Sequence, residues 1–201
     1  MSLAKRLGAS AFALGLAAPF AGSPYLSARG HIDVDYLARI IAQGEDHIEP
    51  RHLAHWIRDR TPRLRVIDVR RPDEFAEYAI PTAENIPLDR LPRASFASDE
   101  TIVLYSEGGA HGAQAWMMLR AMGHSRVYFI SGGLVDWYHD IMRPTLAPNA
   151  TDEQRVAFEN AADLSRYFGG VPQLATTDGD VELRVAGGKI PRIATLRRRG
   201  C

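Results

Sequence analysis

One stretch of this chain constrains its fold more than any other. The apolar run Thr101 to Tyr105 is followed by a glycine-containing loop, Ser106 to His111, and then by a helical pattern that includes Trp116. A short apolar run bounded by turn residues predicts a strand buried on both faces. The stretch therefore predicts a strand, a tight loop and a helix whose first N–H groups face the loop, which is an arrangement suited to binding an anion.

The same alternation of strand and helix patterns continues along the middle of the chain. Strands are predicted at residues 47–48, 64–69, 84–87, 101–105 and 126–130, and helices at 31–42, from 50, from 71, from 113 and at 132–141. Such alternation predicts a parallel sheet covered by helices on both faces, with ligands bound beyond the carboxyl ends of the strands. We therefore expect an α/β fold with an open parallel sheet of about five strands.

Composition excludes several classes of protein. Lys plus Arg and Asp plus Glu are balanced at 24 each, so no overall positive field indicates nucleic-acid binding. The single cysteine, Cys201, excludes an internal disulfide, and the absence of a Cys-x-x-Cys pair excludes a zinc ribbon or a ferredoxin-type cluster. We expect neither a metal nor a cofactor.

The two ends of the chain differ from its middle. Lys5 and Arg6 precede an apolar stretch that runs to residue 22, which is typical of a secretory signal or an N-terminal membrane anchor. The alternative is an ordinary amphipathic helix, in which case the protein is cytoplasmic rather than periplasmic or membrane-associated. The predicted organisation is a signal or anchor at 1–30, a helical lead-in at 31–44, a domain at 45–147, a helix at 148–168 and an extended basic tail at 169–201.

Three motifs in the predicted domain resemble those of one family. They are Val66-Ile67-Asp68-Val69-Arg70 with Glu74-Phe75, then Ile80 to Pro87, and then Gly132-Gly133 with Asp136-Trp137. In this order and at this separation they resemble the motifs of rhodanese-like domains, over about Glu45 to Leu146. The resemblance implies the rhodanese-like fold, and it favours a structural role for Asp68, Arg70, Glu74 and Trp137, the first three as an ion-pair network.

Departures from the family pattern lie in the loop. The resemblance places Ser106 where rhodaneses carry sulfane sulfur on a cysteine, and His111 where the loop's arginine would lie. A thiolate can attack sulfane sulfur and hold it as a persulfide, whereas a serine hydroxyl ionises far above cellular pH and has no stable equivalent. Losing the arginine removes a fixed positive charge for thiosulfate-like anions. Thiosulfate sulfurtransferase activity is therefore not expected.

Several interpretations of the loop residues stay open. Ser106 could donate a hydrogen bond inside a degenerate anion-binding loop, satisfy local backbone groups, or act as a hydrolytic nucleophile with His111 as its base. The hydrolase lacks a Gly-x-Ser-x-Gly elbow, because Leu104 occupies the first glycine position. Glu107 would repel a small anion, fold into the loop, or face solvent. The loop as a whole comprises Ser106, Glu107, Gly108, Gly109, Ala110 and His111.

Function is predicted in two main forms. The first is a catalytically inactive binding or accessory module in a larger exported or membrane-associated assembly. Its N- and C-terminal extensions would contact another protein of that assembly, and residues 1–22 would contact the membrane. The second is sulfur transfer or a thiol-redox relay in which Cys201, preceded by three arginines and a glycine, is a swinging thiol.

Overall fold

The fold is that of a computed structural model, which describes residues 33–175. Every element below belongs to the second of two units, which begins at Val34. The strands are β1 (His47–Ile48), β2 (Leu64–Asp68), β3 (Glu84–Asn85), β4 (Thr101–Tyr105), β5 (Val127–Ile130), β6 (Thr145–Leu146) and β7 (Gln173–Leu174). The helices are α1 (Val34–Gln43), α2 (Pro50–Arg58), α3 (Pro72–Glu77), α4 (Gly109–Ala121), α5 (Gly133–Trp137) and α6 (Asp152–Tyr167), with a 3-10 turn at Leu91–Arg93 and a π-helical turn at Tyr138–Met142.

The central sheet has five parallel strands in the order β1-β5-β4-β2-β3, which confirms the predicted fold class. Strand β4 lies in the middle and pairs in register with β2 from Leu64↔Thr101 to Asp68↔Tyr105. Parallel pairing brings the carboxyl ends of β2 and β4 to the same edge of the sheet. Asp68 and the Ser106 loop therefore lie at one edge of the sheet.

Successive residues of the central strands face opposite sides of the sheet, and each side has its own apolar core. Val66 and Val103 face a cluster that includes Trp137, whereas Ile67 and Leu104 face the other cluster. All five residues of β4 are buried. This burial explains why β4 is a continuous apolar run rather than an alternating one.

The two flanking helices, α1 and α6, both pack on the domain itself, whereas the sequence predicts the extensions only as contacts to another protein. Ile40 of α1 is buried in the same core as Ile67. Leu164 near the end of α6 is buried in the opposite core, and the ring of Phe168, just after α6, lies 5.3 Å from that of Trp137. A few apolar side chains at one end of each helix are enough to dock it, and sequence periodicity does not show that contact.

The second half of the chain confirms one expectation and corrects another. Residues 133–142 are helical, close to the predicted 132–141, and α5 passes at Tyr138 into the π-helical turn, closed by the bond from Arg143 N–H to the Tyr138 carbonyl at 2.9 Å. The start of the predicted tail is ordered, since Gln173 and Leu174 pair with β6. The predicted signal or anchor, Cys201 and the tail beyond residue 175 lie outside the described residues.

Candidate functional site

The Ser106 loop connects β4 to α4 at the carboxyl edge of the sheet. Ser106 is 2% exposed, whereas Gly108, Ala110 and His111 are exposed and Glu107 is partly buried. The apolar character of β4 buries the start of the loop, and the glycines allow the chain to turn directly into α4. The loop is thus a surface feature with its serine turned inward.

The Ser106 hydroxyl makes two hydrogen bonds, one to the backbone of its own loop and one to the backbone of the first turn of α4. Its Oγ donates to the carbonyl of Gly108 and accepts from the Gly112 N–H at 3.2 Å. Within residues 33–175, no hydrogen bond joins Ser106 to His111. The geometry is that of a serine satisfying local backbone groups, and it lacks the nucleophile–base contact that hydrolysis requires.

The loop is held against the start of α5. The N–H of Leu134 donates to the Ser106 carbonyl at 2.9 Å, and the N–H of Val135 donates to the Glu107 carbonyl at 3.0 Å. Gly133 makes this approach possible, because a Cβ there would lie 2.6 Å from the Ser106 carbonyl oxygen and its backbone has φ +62°. The Gly-Gly pair thus has a structural reason, and α5's first donors are used by the loop.

The start of α4 keeps part of the anion-binding geometry expected from the sequence. In the described part of the chain, the N–H groups of Gly109, Ala110 and His111 have no acceptor, whereas that of Gly112 is taken by Ser106. Exposed N–H groups in the first turn of a 13-residue helix carry partial positive charge. Three backbone donors therefore remain at the start of α4, while the fourth, the Gly112 N–H, is bonded to Ser106 Oγ.

Asp68 and Arg70 form a buried ion pair at the end of β2. Asp68 is fully buried, and its carboxylate accepts from Arg70 Nε at 3.0 Å and Nη2 at 2.5 Å and from the Arg70 backbone N–H at 2.9 Å. Arg70 Nη2 also donates to the Tyr78 carbonyl at 2.7 Å. Glu74 has a different role. Its carboxylate accepts the Arg71 N–H and so caps α3, and its negative charge attracts the Arg70 guanidinium through space. Asp68 and Arg70 thus fasten the strand end to the segment after α3.

Two tyrosines lie near this pair, the fully buried Tyr105 and the partly buried Tyr78, and the sequence pattern assigns neither of them a role. Burial raises the pKa of Tyr105, and the neighbouring Asp68 raises it further, while its hydroxyl oxygen accepts the Ile80 N–H at 3.1 Å. Burial also raises the pKa of Tyr78 to about 12. The hydrogen bond that Trp137 Nε1 donates to the Tyr78 hydroxyl oxygen at 3.3 Å acts in the opposite direction and lowers this pKa. Both hydroxyls stay protonated at neutral pH, so neither can act as a general base there.

Two negative findings apply to residues 33–175. They contain no group of three or more His, Cys, Asp or Glu side chains placed to hold a metal ion. In the same range, no helix is both long and apolar enough to cross a bilayer.

Comparison with known proteins identifies relatives of the domain. The family model for the rhodanese-like domain matches residues 50–140. A sulfurtransferase from Allochromatium vinosum is 31% identical over 90 residues, which are 44% of this chain and 83% of that relative. A putative mitochondrial thiosulfate sulfurtransferase from Schizosaccharomyces pombe is 29% identical over 87 residues, covering 36% of this chain and 61% of that relative. The structure of a human single-domain sulfurtransferase is 25% identical with a TM-score of 0.42, over 46% of this chain and 94% of that one.

Proposed function

Because this chain belongs to the rhodanese-like domain family, we propose that it is a member without thiosulfate sulfurtransferase activity at its loop and acts as a binding or accessory module. Ser106 stands at the position where the family carries its sulfur-accepting cysteine. The observation that carries the proposal is the bonding of the Ser106 hydroxyl, which donates to Gly108 and accepts from Gly112.

The chemistry of the loop supports a role without catalysis. Transfer of sulfane sulfur needs a thiolate that is reachable by the donor, whereas Ser106 is 2% exposed and its hydroxyl is held by the backbone. The loop also has a histidine, His111, in place of a permanently charged arginine. An anion at the N–H groups of α4 would therefore be held by polar contacts and not attacked.

An exposed apolar surface supports the binding role. Helices α1 and α4 pack beside each other, with the Arg120 guanidinium 5.4 Å from the Tyr36 ring. Their outer faces expose Ile41 at 48% and Met117 at 52%. The proposal is that these side chains form one contiguous apolar patch, because patches of that kind mark contact sites for other proteins. The proposed module would use this surface, since the docked faces of α1 and α6 are already occupied.

Sulfur transfer through Cys201 is the second candidate function. Two relatives bear the names sulfurtransferase and putative thiosulfate sulfurtransferase, and Cys201 is the one thiol in the whole sequence. A thiol near several arginines ionises more readily than an isolated one. In this alternative the loop supplies the anion-binding surface and the terminal thiol carries the sulfur.

One assay separates the two candidates from catalysis at the loop. The full chain, its Cys201→Ser variant and its Ser106→Ala variant are each given thiosulfate and cyanide, and thiocyanate is measured. The proposed module forms none with any of the three proteins. Activity lost only in Cys201→Ser supports the second candidate. Activity that survives Cys201→Ser and disappears in Ser106→Ala contradicts both, because it places the chemistry on the serine.

Export or membrane association is proposed from the first 30 residues, and its test is independent of the loop. Cell fractionation of the full chain is compared with that of a chain starting at residue 31. A shift of the shortened chain to the cytoplasm supports the proposal, and an unchanged distribution contradicts it.

A further inference from the structure

Helix α1 has two apolar faces, and the domain covers one of them. Leu37 and Ile40 pack on the core, and Ile40 is buried there. Because each residue of an α-helix advances by about 100°, Val34, Ala38 and Ile41 lie on a different face, within an arc of about 60°. Val34 is 69% exposed, Ile41 is 48% exposed, and Ala38 is exposed as well. The helix therefore presents to solvent an apolar stripe made of these three residues, here called the α1 stripe.

One border of the α1 stripe carries two opposite charges. Asp35 and Arg39 each follow a stripe residue by one position, so both lie on the same side of the stripe. Both are exposed. Their spacing of four residues would allow them to pair within the helix. In the described part of the chain, however, neither side chain makes an ion pair or a hydrogen bond. Both charges can therefore pair with groups of another molecule.

The order of these charges is complementary to itself when two copies of α1 run antiparallel. A two-fold axis between the helices reverses the direction of one of them and keeps both charged borders on the same side. Asp35 of one copy then faces Arg39 of the second copy, and the reverse contact follows by symmetry. Parallel helices in register would instead place like charges opposite each other. The charges therefore select the antiparallel arrangement.

The same arrangement pairs the apolar side chains of the α1 stripe. With Ala38 beside the two-fold axis, Val34 of one copy meets Ile41 of the second copy, and this contact also occurs twice. The small side chain at the axis lets the two helices approach closely, and the removal of the larger side chains from water favours association. From the exposed stripe and its self-complementary border, we infer that the protein forms a two-fold dimer through antiparallel packing of α1.

A second copy of the chain fits this face better than a membrane does. An anionic membrane surface favours basic residues beside an apolar stripe, whereas this border has one charge of each sign. Helix α1 has 10 residues and is about 15 Å long. The contact is therefore small, and the dimer should be weak, with a dissociation constant on the order of 100 µM.

The inference rests on the binding surface named in the proposed function, and it is independent of the absence of sulfur transfer. Thiocyanate formation by the full chain would contradict that absence and leave the dimer unaffected. A monomeric full chain would overturn the dimer and leave the absence of sulfur transfer unaffected.

Sedimentation equilibrium of the full chain tests the inference, in reducing buffer so that Cys201 cannot form a disulfide between copies. Asp35→Arg and Arg39→Asp should each weaken the dimer at least about tenfold, because each places like charges opposite each other in both contacts. An equal mixture of these two variants should associate about as tightly as the unmodified chain. In that mixture one variant carries two positive charges at the border and the other carries two negative charges.

Two more variants complete the test. Ile41→Glu should weaken the dimer at least about tenfold, because it places a charge in the apolar contact. Asp163→Arg is the control, since Asp163 is an exposed residue of α6, where it pairs with Arg166, and it should leave the dimer unchanged. A full chain that is monomeric throughout, association that is insensitive to Asp35→Arg, or a mixture that fails to associate would overturn the inference.

Discussion

Replacing Gly133 with alanine is expected to destabilise the protein by about 2–5 kcal/mol. The perturbation is one methyl group at the point where the Ser106 loop meets α5. Its effect tests whether the close backbone approach between these two elements holds the candidate site together.

The magnitude comes from two separate costs. The backbone of Gly133 has φ +62°, a left-handed conformation that costs a residue with a Cβ about 1–2 kcal/mol. The new Cβ would also lie 2.6 Å from the Ser106 carbonyl oxygen and 2.8 Å from both the carbon and the oxygen of the Gly108 carbonyl. These neighbours are backbone atoms that cannot rotate away, so relieving the overlap costs about 1–3 kcal/mol more.

Urea unfolding, followed by tryptophan fluorescence, measures the free energy of unfolding. Gly169→Ala is the matched control, because Gly169 has φ +76° but a Cβ added there would meet no atom within 4 Å among the described residues. It should lose only the conformational part, about 1–2 kcal/mol. Amide hydrogen exchange adds a local measure, since protection of the Leu134 and Val135 N–H groups should fall in Gly133→Ala.

The difference between the two variants decides the outcome. A loss in Gly133→Ala no larger than that in Gly169→Ala would show that the loop and α5 yield easily. The close approach would then not be a constraint on the site.

Two further predictions concern polar groups near the loop, the buried Asp68 and the partly buried Tyr78. Asp68→Asn should destabilise the protein by about 3–5 kcal/mol in urea unfolding, because it leaves the Arg70 charge buried without its partner. The control Asp73→Asn removes an exposed ion pair and should cost no more than about 1 kcal/mol. Equal losses in the two variants would refute a stronger contribution from the buried pair. Folding raises the pKa of Tyr78 from 10.0 to about 12, so the Tyr78 hydroxyl loses its proton at a lower pH in the unfolded state than in the folded state. The free energy of unfolding should therefore fall as pH rises from about 10 to about 12, by at most about 2–3 kcal/mol. Tyr78→Phe should flatten that decline in pH-dependent unfolding, and an unchanged slope would argue against a perturbed Tyr78.

The bounds of several elements depend on neighbouring residues alone, and the sequence is sufficient to predict them. Strand β4 was predicted with its observed bounds, because a strand buried on both faces is apolar throughout. Helix α2 begins at Pro50 as predicted, because proline suits the first helical turn. Helix α6 lies within the predicted helix at 148–168, and Thr151 caps it, with its Oγ1 accepting the Gln154 N–H at 3.3 Å.

Other features depend on residues distant in sequence and were not predicted. The pairing of β6 with β7 joins residues 145–146 to 173–174, and no local pattern indicates it. The docking of α6 depends on a few contacts such as that between Trp137 and Phe168. The contact between the Arg143 guanidinium and the amide oxygen of Gln173 joins residues 30 positions apart, and no local pattern indicates it.

The order of the residues is enough to predict the rhodanese-like α/β fold, the position of the loop at the end of β4 and the serine in that loop. Periodicity, turn residues and motif order are properties of neighbouring residues, so the sequence contains them. The inward direction of the Ser106 hydroxyl, toward Gly108 and Gly112, is visible only in the folded chain. The same holds for the packing of both flanking helices on the domain. Side-chain direction and helix docking depend on groups brought together by folding, which a linear pattern does not contain.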